Sequence, residues 1–371
     1  MDLLAQHALA QPGKPAVVDD RPGAPALTWT FAELNSRANR LAQLLVGLGA
    51  GPGAKVVTVG PNSAGLLAAT HAVSKAGAVL VPLNYRLTEE EAAYVVDNSD
   101  ASIVYADAEY LPLVDAVRRR VGGVRHVIAF DDRGDLLDAD LAARLAAAPD
   151  EAPGAADDAP GGSMIYTSGT TGRPKGALRR SRSGSAAVAG LVQEIGYTPD
   201  DVYITTGPLY HSGPGAFAGI AHALGNTVVV QRRFDPEDWL RLVERYRVST
   251  TFSAPTPIRM VCSLPEEVKA RYDRSSMRRM VGNAAPWTLA LKKLYLADFP
   301  PDSLWEVYGS TELGVDTVLR PEDHLRKPGS CGRPAPGIEI LLVDEHRRPI
   351  TEPYRAGELF VRAELVFDAY Y

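Results

Sequence analysis

Short β-branched runs alternate with capped helical segments along most of this chain, and that alternation limits the fold more than any other feature of the sequence. Thr30-Phe31-Ala32-Glu33 has the form of a capping box, and Leu34, Leu41, Leu44 and Leu45 behind it share one helical face. Gly49 and Gly51 close that helix. Residues 55–59 read as a buried strand, 63–75 as a helix and 79–81 as the next strand. Thr88-Glu89-Glu90-Glu91 opens a second capped helix, and strands follow at 102–105 and 125–130. The stretch 149–162, rich in Ala, Pro, Gly and Asp, reads as a linker. Beyond it the spacing predicts strands at 163–166, 202–205, 227–230, 249–252, 279–281 and 304–307, with Asp235-Pro236 as N-cap and first residue of a helix. Strands separated by helices imply parallel sheet covered on both faces. From about Pro328 the helical pattern stops, and 338–343 and 358–361 read as the start of a small β region. The expected division is therefore 1–155, 156–325 and 326–371.

Bulk properties exclude several classes. The net charge of −6 argues against a nucleic-acid partner. Cys262 and Cys331 are the only cysteines, too few and too far apart for a disulfide framework or a metal motif. No run of 18 apolar residues exists, and Met1-Asp2 opens nothing like a signal peptide, so a cytoplasmic protein is expected, with homo-oligomerisation left open.

One segment stands apart. The strand at 163–166 runs into Thr167-Ser168-Gly169-Thr170-Thr171-Gly172-Arg173-Pro174-Lys175-Gly176. Unobstructed N–H groups, several hydroxyls and a cation suit the phosphate chain of a nucleotide. Pro174 before the lysine and Gly176 after it argue against a helix opening there, so this is not the Gly-Lys-Ser/Thr phosphate loop.

With this segment the chain resembles the adenylate-forming (ANL) superfamily, which includes acyl-CoA synthetases and other AMP-dependent ligases. Further matches follow in the family's order: Pro208-Leu209-Tyr210-His211-Ser212-Gly213, Gly282-Asn283-Ala284-Ala285-Pro286, Tyr308-Gly309-Ser310-Thr311-Glu312, Gly329-Ser330-Cys331-Gly332-Arg333-Pro334 and Gly357-Glu358-Leu359-Phe360-Val361. The resemblance implies an α/β fold of two stacked sheets with flanking helices (αβαβα), plus part of a small β-barrel subdomain. It implies the large N-terminal domain alone, without the C-terminal domain, and hence weak ATP binding and slow adenylation.

The same resemblance implies ATP, Mg²⁺ and coenzyme A, and a small carboxylic acid as substrate. The acid would attack the α-phosphate, and the acyl-adenylate would then meet a thiol. Thr167 and Glu312 would flank Mg²⁺. Ser168, Gly169, Thr170, Thr171, Gly172 and Lys175 would hold phosphate. Gly282, Asn283, Ala284, Ala285, Tyr308, Gly309, Ser310 and Thr311 would surround the nucleoside, with Tyr308 stacked on adenine. His211, Lys175 and Glu312 are the expected catalytic residues. Such a site must offset the repulsion between triphosphate and carboxylate with positive charge and oriented N–H groups. The acyl pocket is expected from the segments 210–217, 252–257 and 282–284, where Ser212, Gly213, Gly215, Ala216, Ser253, Ala254 and Ala284 leave room for a fatty or bulky hydrophobic acid unless they serve close packing. Loading of a carrier protein, and a non-catalytic nucleotide- or acyl-binding module, are the alternatives.

Overall fold

The computed structural model describes residues 2–154, 161–167, 172–180, 186–363 and 366–371. Both capping boxes form: Thr30 and Thr88 accept from the N–H groups of Glu33 and Glu91, whose carboxylates reach back to the cap backbone, at the openings of helices Phe31–Gly47 and Glu89–Asn98. Asp235 caps the helix Pro236–Arg245 through the Asp238 N–H.

The strands build two large sheets. The seven-stranded sheet runs, edge to edge, Ala369–Tyr370, Lys175–Arg180, Gly162–Thr167, Val79–Leu83, Lys55–Val59, Ile103–Asp107, His126–Phe130. The nine-stranded sheet runs Arg333–Pro334, Gly314–Leu319, Leu304–Ser310, Arg279–Gly282, Thr250–Ser253, Val202–Thr205, Thr227–Val230, Pro15–Asp19, Leu27–Thr30. The inner strands of both are parallel; both edges of the larger sheet and the Ala369–Tyr370 edge of the smaller one are antiparallel, while the His126–Phe130 edge is parallel. A separate antiparallel pair, Glu339–Val343 with Glu358–Arg362, forms the expected β region.

Four apolar clusters set the layer order. Val57, Val59 and Val104 on one face of the smaller sheet pack on helices Glu89–Asn98 and Leu111–Arg120, while Val56, Ile103 and Tyr105 on the other face pack on helices Phe31–Gly47 and Ala64–Lys75. Period-two alternation sends neighbours Val56 and Val57 to opposite cores. Phe31, Leu34 and Leu67 from those helices then join Phe217 and Ala221 of the helix Ser212–Ala223 against Tyr203, Val228, Phe252 and Val281 of the larger sheet. Its outer face carries Trp239, Ile258, Leu291 and Tyr295 from three more helices. The succession is helix, sheet, helix, sheet, helix.

The sheets cross the division expected at 155. Pro15–Asp19 and Leu27–Thr30 join strands from after 200, and Gly162–Thr167 and Lys175–Arg180 join strands from before 131. Hydrogen-bonded neighbours rather than chain order set sheet membership, and the pairing Val17↔Val228 is parallel and 211 positions distant in number. Among the described residues no helix is long and apolar enough to cross a membrane.

Candidate active site

Four adjacent parallel strands of the larger sheet deliver the motif residues to one edge. Strand Val202–Thr205 leads to the loop ending at His211, Thr250–Ser253 to Ala254-Pro255, Arg279–Gly282 to Asn283-Ala284, and Leu304–Ser310 to Thr311-Glu312. The connection after Val202–Thr205 feeds the helix Ser212–Ala223 on the inner face. The connection after its neighbour Thr250–Ser253 feeds Pro255–Cys262 on the outer face. The chain therefore parts in opposite directions between these two strands, and in open α/β sheets the crevice at such a switch point is where ligands bind.

The histidine loop is pinned from the other sheet. Asn62 donates from Nδ2 to the Gly207 carbonyl at 3.0 Å and accepts the Leu209 N–H at 2.8 Å. Tyr85 meets the Tyr210 ring edge-on at 5.4 Å between centroids. His211 is the N-cap residue of the helix Ser212–Ala223, without a side-chain cap bond, and its ring lies 4.4 Å from that of Tyr210. Desolvation among these groups, then the nearby charge of Arg86, lower the His211 pKa. At neutral pH it is an uncharged imidazole with a lone pair to offer. Ser212 Oγ and Thr311 Oγ1 are 3.0 Å apart, which ties this loop to the Tyr308–Glu312 element.

Beyond the strand Arg279–Gly282, Asn283 donates to the Val307 carbonyl and accepts the Ala284 N–H. Ala284 sits at φ +70°, strained for a residue with a Cβ. Gly282 has no room for a side chain: a Cβ there would lie 2.7 Å from the Trp287 indole. At Gly309 a Cβ would lie 1.8 Å from the Gly314 carbonyl oxygen. The ladder bulges between Tyr308 and Gly309, and Tyr308 keeps 45% of its surface exposed. An aromatic face that is apolar and open to solvent can stack on a planar base.

Thr167 and Lys175 are opposite partners in the hairpin of Gly162–Thr167 with Lys175–Arg180. Lys175 thus opens a strand. Gly172 at φ +110° has open space around it. Tyr94 holds the C-terminal end of the segment, donating to the Pro174 carbonyl at 3.1 Å and lying 5.3 Å beneath the Arg173 guanidinium. Ser168, Gly169, Thr170 and Thr171 lie outside the described residues. Glu312 occupies the turn between Leu304–Ser310 and Gly314–Leu319, not a helix opening. Arg179 reaches the carbonyls of Thr311 and Glu312 at 3.0 and 3.3 Å, and Tyr370 donates to Glu312 Oε1 at 2.9 Å. Among the described residues neither the Lys175 ammonium nor the Glu312 carboxylate has a partner of opposite charge. A carboxylate with no cationic partner and one oxygen bound by the Tyr370 hydroxyl suits Mg²⁺, which keeps most of its waters, and no cluster of three His, Cys, Asp or Glu side chains competes for that role among the described residues.

The small residues expected to open the acyl pocket serve packing in two cases. A Cβ on Gly213 would meet the Phe252 ring at 2.4 Å, and one on Gly215 would meet the Leu209 carbonyl oxygen at 2.9 Å. Phe252 itself stacks on Phe217 at 4.8 Å. Sequence reasoning gave no role to Asn62, Arg179 or Tyr370; the polar, aromatic end of the chain was the one available signal, since Asn62 and Arg179 act by long-range contacts.

The pattern of the AMP-binding enzyme family matches residues 4–371, and the chain belongs to that family. Among relatives it is 30% identical to the indoleacetate–CoA ligase of Aromatoleum aromaticum over 99% of this chain and 70% of that protein. The N-terminal domain of FACL13 from Mycobacterium tuberculosis superposes with a TM-score of 0.85 at 27% identity, covering 99% of this chain and 89% of that one. ATP-bound MatB from Rhodopseudomonas palustris gives a TM-score of 0.82 at 27% identity, covering 100% of this chain and 71% of that one.

Proposed function

We propose that this chain is the nucleotide- and acid-binding part of an AMP-forming carboxylic acid–CoA ligase, with ATP, Mg²⁺ and coenzyme A as its partners and a hydrophobic organic acid as substrate. The observation that carries this reading is the convergence of His211, Asn283, Tyr308 and Glu312 from adjacent parallel strands on one switch point. The indoleacetate ligase among the relatives supports a bulky hydrophobic acid. A cytoplasmic location suits a ligase of this kind.

In this reading Lys175 and the N–H groups around it hold the β- and γ-phosphates, and Tyr308 carries the base. Glu312, with Thr167, holds the metal ion, which supplies charge neutralisation of the phosphates when bound. His211, its pKa lowered so that it is neutral at pH 7, orients the substrate carboxylate toward the α-phosphate by a hydrogen bond. The carboxylate oxygen forms its bond to the α-phosphorus as the bond to pyrophosphate breaks. The residues contribute position and electrostatics rather than a covalent intermediate with the protein.

The test is pyrophosphate release with ATP, Mg²⁺ and a panel of aromatic and aliphatic acids. Acid-dependent release that falls at least about tenfold in His211→Ala and Glu312→Gln supports the assignment. Release independent of the acid, or unchanged from wild type in both variants, removes it.

A further inference from the structure

The strand Ala369–Tyr370 is short and lies at the edge of the smaller sheet, yet it is fastened on every side. Tyr370 is the ladder partner of Ala177, and the N–H groups of Asp368 and Tyr371 donate to the carbonyls of Leu178 and Gly176, each at 2.8 Å. The Phe367 N–H donates to the Glu312 carbonyl at 2.7 Å, and the Phe367 and Tyr370 rings meet at 4.7 Å. The segment thus bridges the phosphate hairpin of one sheet and the Thr311-Glu312 turn of the other.

Tyr370 stands where these two meet. Its hydroxyl donates to Glu312 Oε1 at 2.9 Å, and the Lys175 ammonium lies 5.3 Å from its ring centroid, over the π face. Half of its surface is exposed, so neither contact follows from burial in a core. A lysine at a strand start and a glutamate on the neighbouring turn have side chains long enough to pair in the absence of ligand. Such a pair would neutralise the cation meant for phosphate and occupy the carboxylate meant for a metal ion. A tyrosine satisfies both without spending either charge: the ring holds the ammonium by cation–π attraction, and a neutral O–H engages one carboxylate oxygen, leaving the other free.

We infer that Tyr370 is a positioning residue for the adenylation site, holding Lys175 and Glu312 apart and fixing the Glu312 carboxylate for a divalent cation. The inference rests on the reading of Lys175 and Glu312 given under Proposed function. Two variants separate the two contacts. Tyr370→Phe keeps the ring between the charges and loses the hydroxyl. Tyr370→Ala loses both.

The experiment is thermal stabilisation of the whole 371-residue chain by ATP, titrated with Mg²⁺. The expected result is an increase in the Mg²⁺ concentration at half effect of about threefold for Tyr370→Phe and about tenfold or more for Tyr370→Ala, from loss of one charge-assisted hydrogen bond and then of the spacer. ATP stabilisation without Mg²⁺ should weaken in Tyr370→Ala and stay unchanged in Tyr370→Phe. The unliganded melting temperature reports any structural effect of the edge strand. If both variants keep the wild-type Mg²⁺ requirement while Glu312→Gln loses it, Glu312 keeps its metal role and Tyr370 has none. A change in unliganded melting alone, with an unchanged Mg²⁺ titration, likewise overturns the inference. If Glu312→Gln itself leaves the Mg²⁺ titration unchanged, the metal assignment fails and the role of Tyr370 falls with it.

Discussion

Arg232 grips Asp107 with both guanidinium nitrogens, Nη1 to Oδ2 at 2.9 Å and Nη2 to Oδ1 at 3.0 Å, and so joins the end of a strand in one sheet to the connection after a strand in the other. Asp107 is buried and Arg232 nearly so, and a Cβ on Gly60 would lie 2.6 Å from the Asp107 side chain. Removing one partner of a buried, two-pronged pair leaves the other without compensation. Arg232→Met should therefore cost about 2–4 kcal/mol, moderated because Glu109 draws only on Arg232's second contact and keeps Arg233. Urea unfolding of the variant measures it; a loss below about 0.5 kcal/mol would show that the pair does not hold the sheets together.

Asp316 is the contrasting case. The buried aspartates Asp19, Asp20, Asp107, Asp201 and Asp323 each pair with an arginine, but among the described residues Asp316 has no cationic partner and its Oδ1 has no donor. Burial alone raises its pKa to about 6. An acid whose folded pKa lies above the unfolded value binds more protons when folded, so its contribution is complete below about pH 4 and is lost as pH rises through about 6. Asp316→Asn should thus stabilise the chain by about 1–2 kcal/mol at pH 8 and by almost nothing at pH 3.5. Melting curves at the two pH values decide it, and equal shifts at both would contradict the assignment.

Much of this architecture was legible before any coordinates. The capping boxes at Thr30 and Thr88 and the strand candidates of the second half carry their own local signals, and the structure places elements there. The motif residues were also local, because each sits at a strand end within a few positions of its neighbours. What escaped was sheet membership and everything dependent on it. Val17 beside Val228, or Tyr370 beside Ala177, follows from packing of distant segments and leaves no periodic trace. Gly213 shows a further limit: a small residue beside a pocket reads the same whether it opens space or admits the Phe252 ring.

Glu312→Gln tests the metal assignment by charge alone. The amide keeps the size of the side chain and can accept the Tyr370 hydroxyl, so the turn should hold its form. The expected outcome is an unliganded melting temperature within about 2 °C of wild type, with Mg²⁺-dependent stabilisation by ATP weakened at least about tenfold. Unchanged nucleotide affinity in the presence of Mg²⁺ would move the metal elsewhere.

His71 and His222 predict where acid unfolds the chain. His222 Nε2 lies 3.1 Å from the Ala16 carbonyl, which can only accept, so that nitrogen carries the proton and Nδ1 accepts from His71 Nε2 at 2.9 Å. Both rings are neutral in this arrangement, with His222 buried and His71 partly buried between the helices Ala64–Lys75 and Ser212–Ala223. Burial depresses the His222 pKa to about 4, and that of His71 falls well below its ordinary value. The unfolded chain binds protons near pH 6.5 that the folded chain refuses, so stability is complete above 6.5 and falls as pH drops toward 4. The loss over that window should be roughly 1–3 kcal/mol, and His222→Asn, which keeps a donor for Ala16 without a titrating ring, should flatten it by about half even though it lowers stability at pH 7. Urea midpoints at pH 7, 5.5 and 4.5 for both proteins give the slopes, and parallel slopes would mean that the acid sensitivity arises from groups other than this pair.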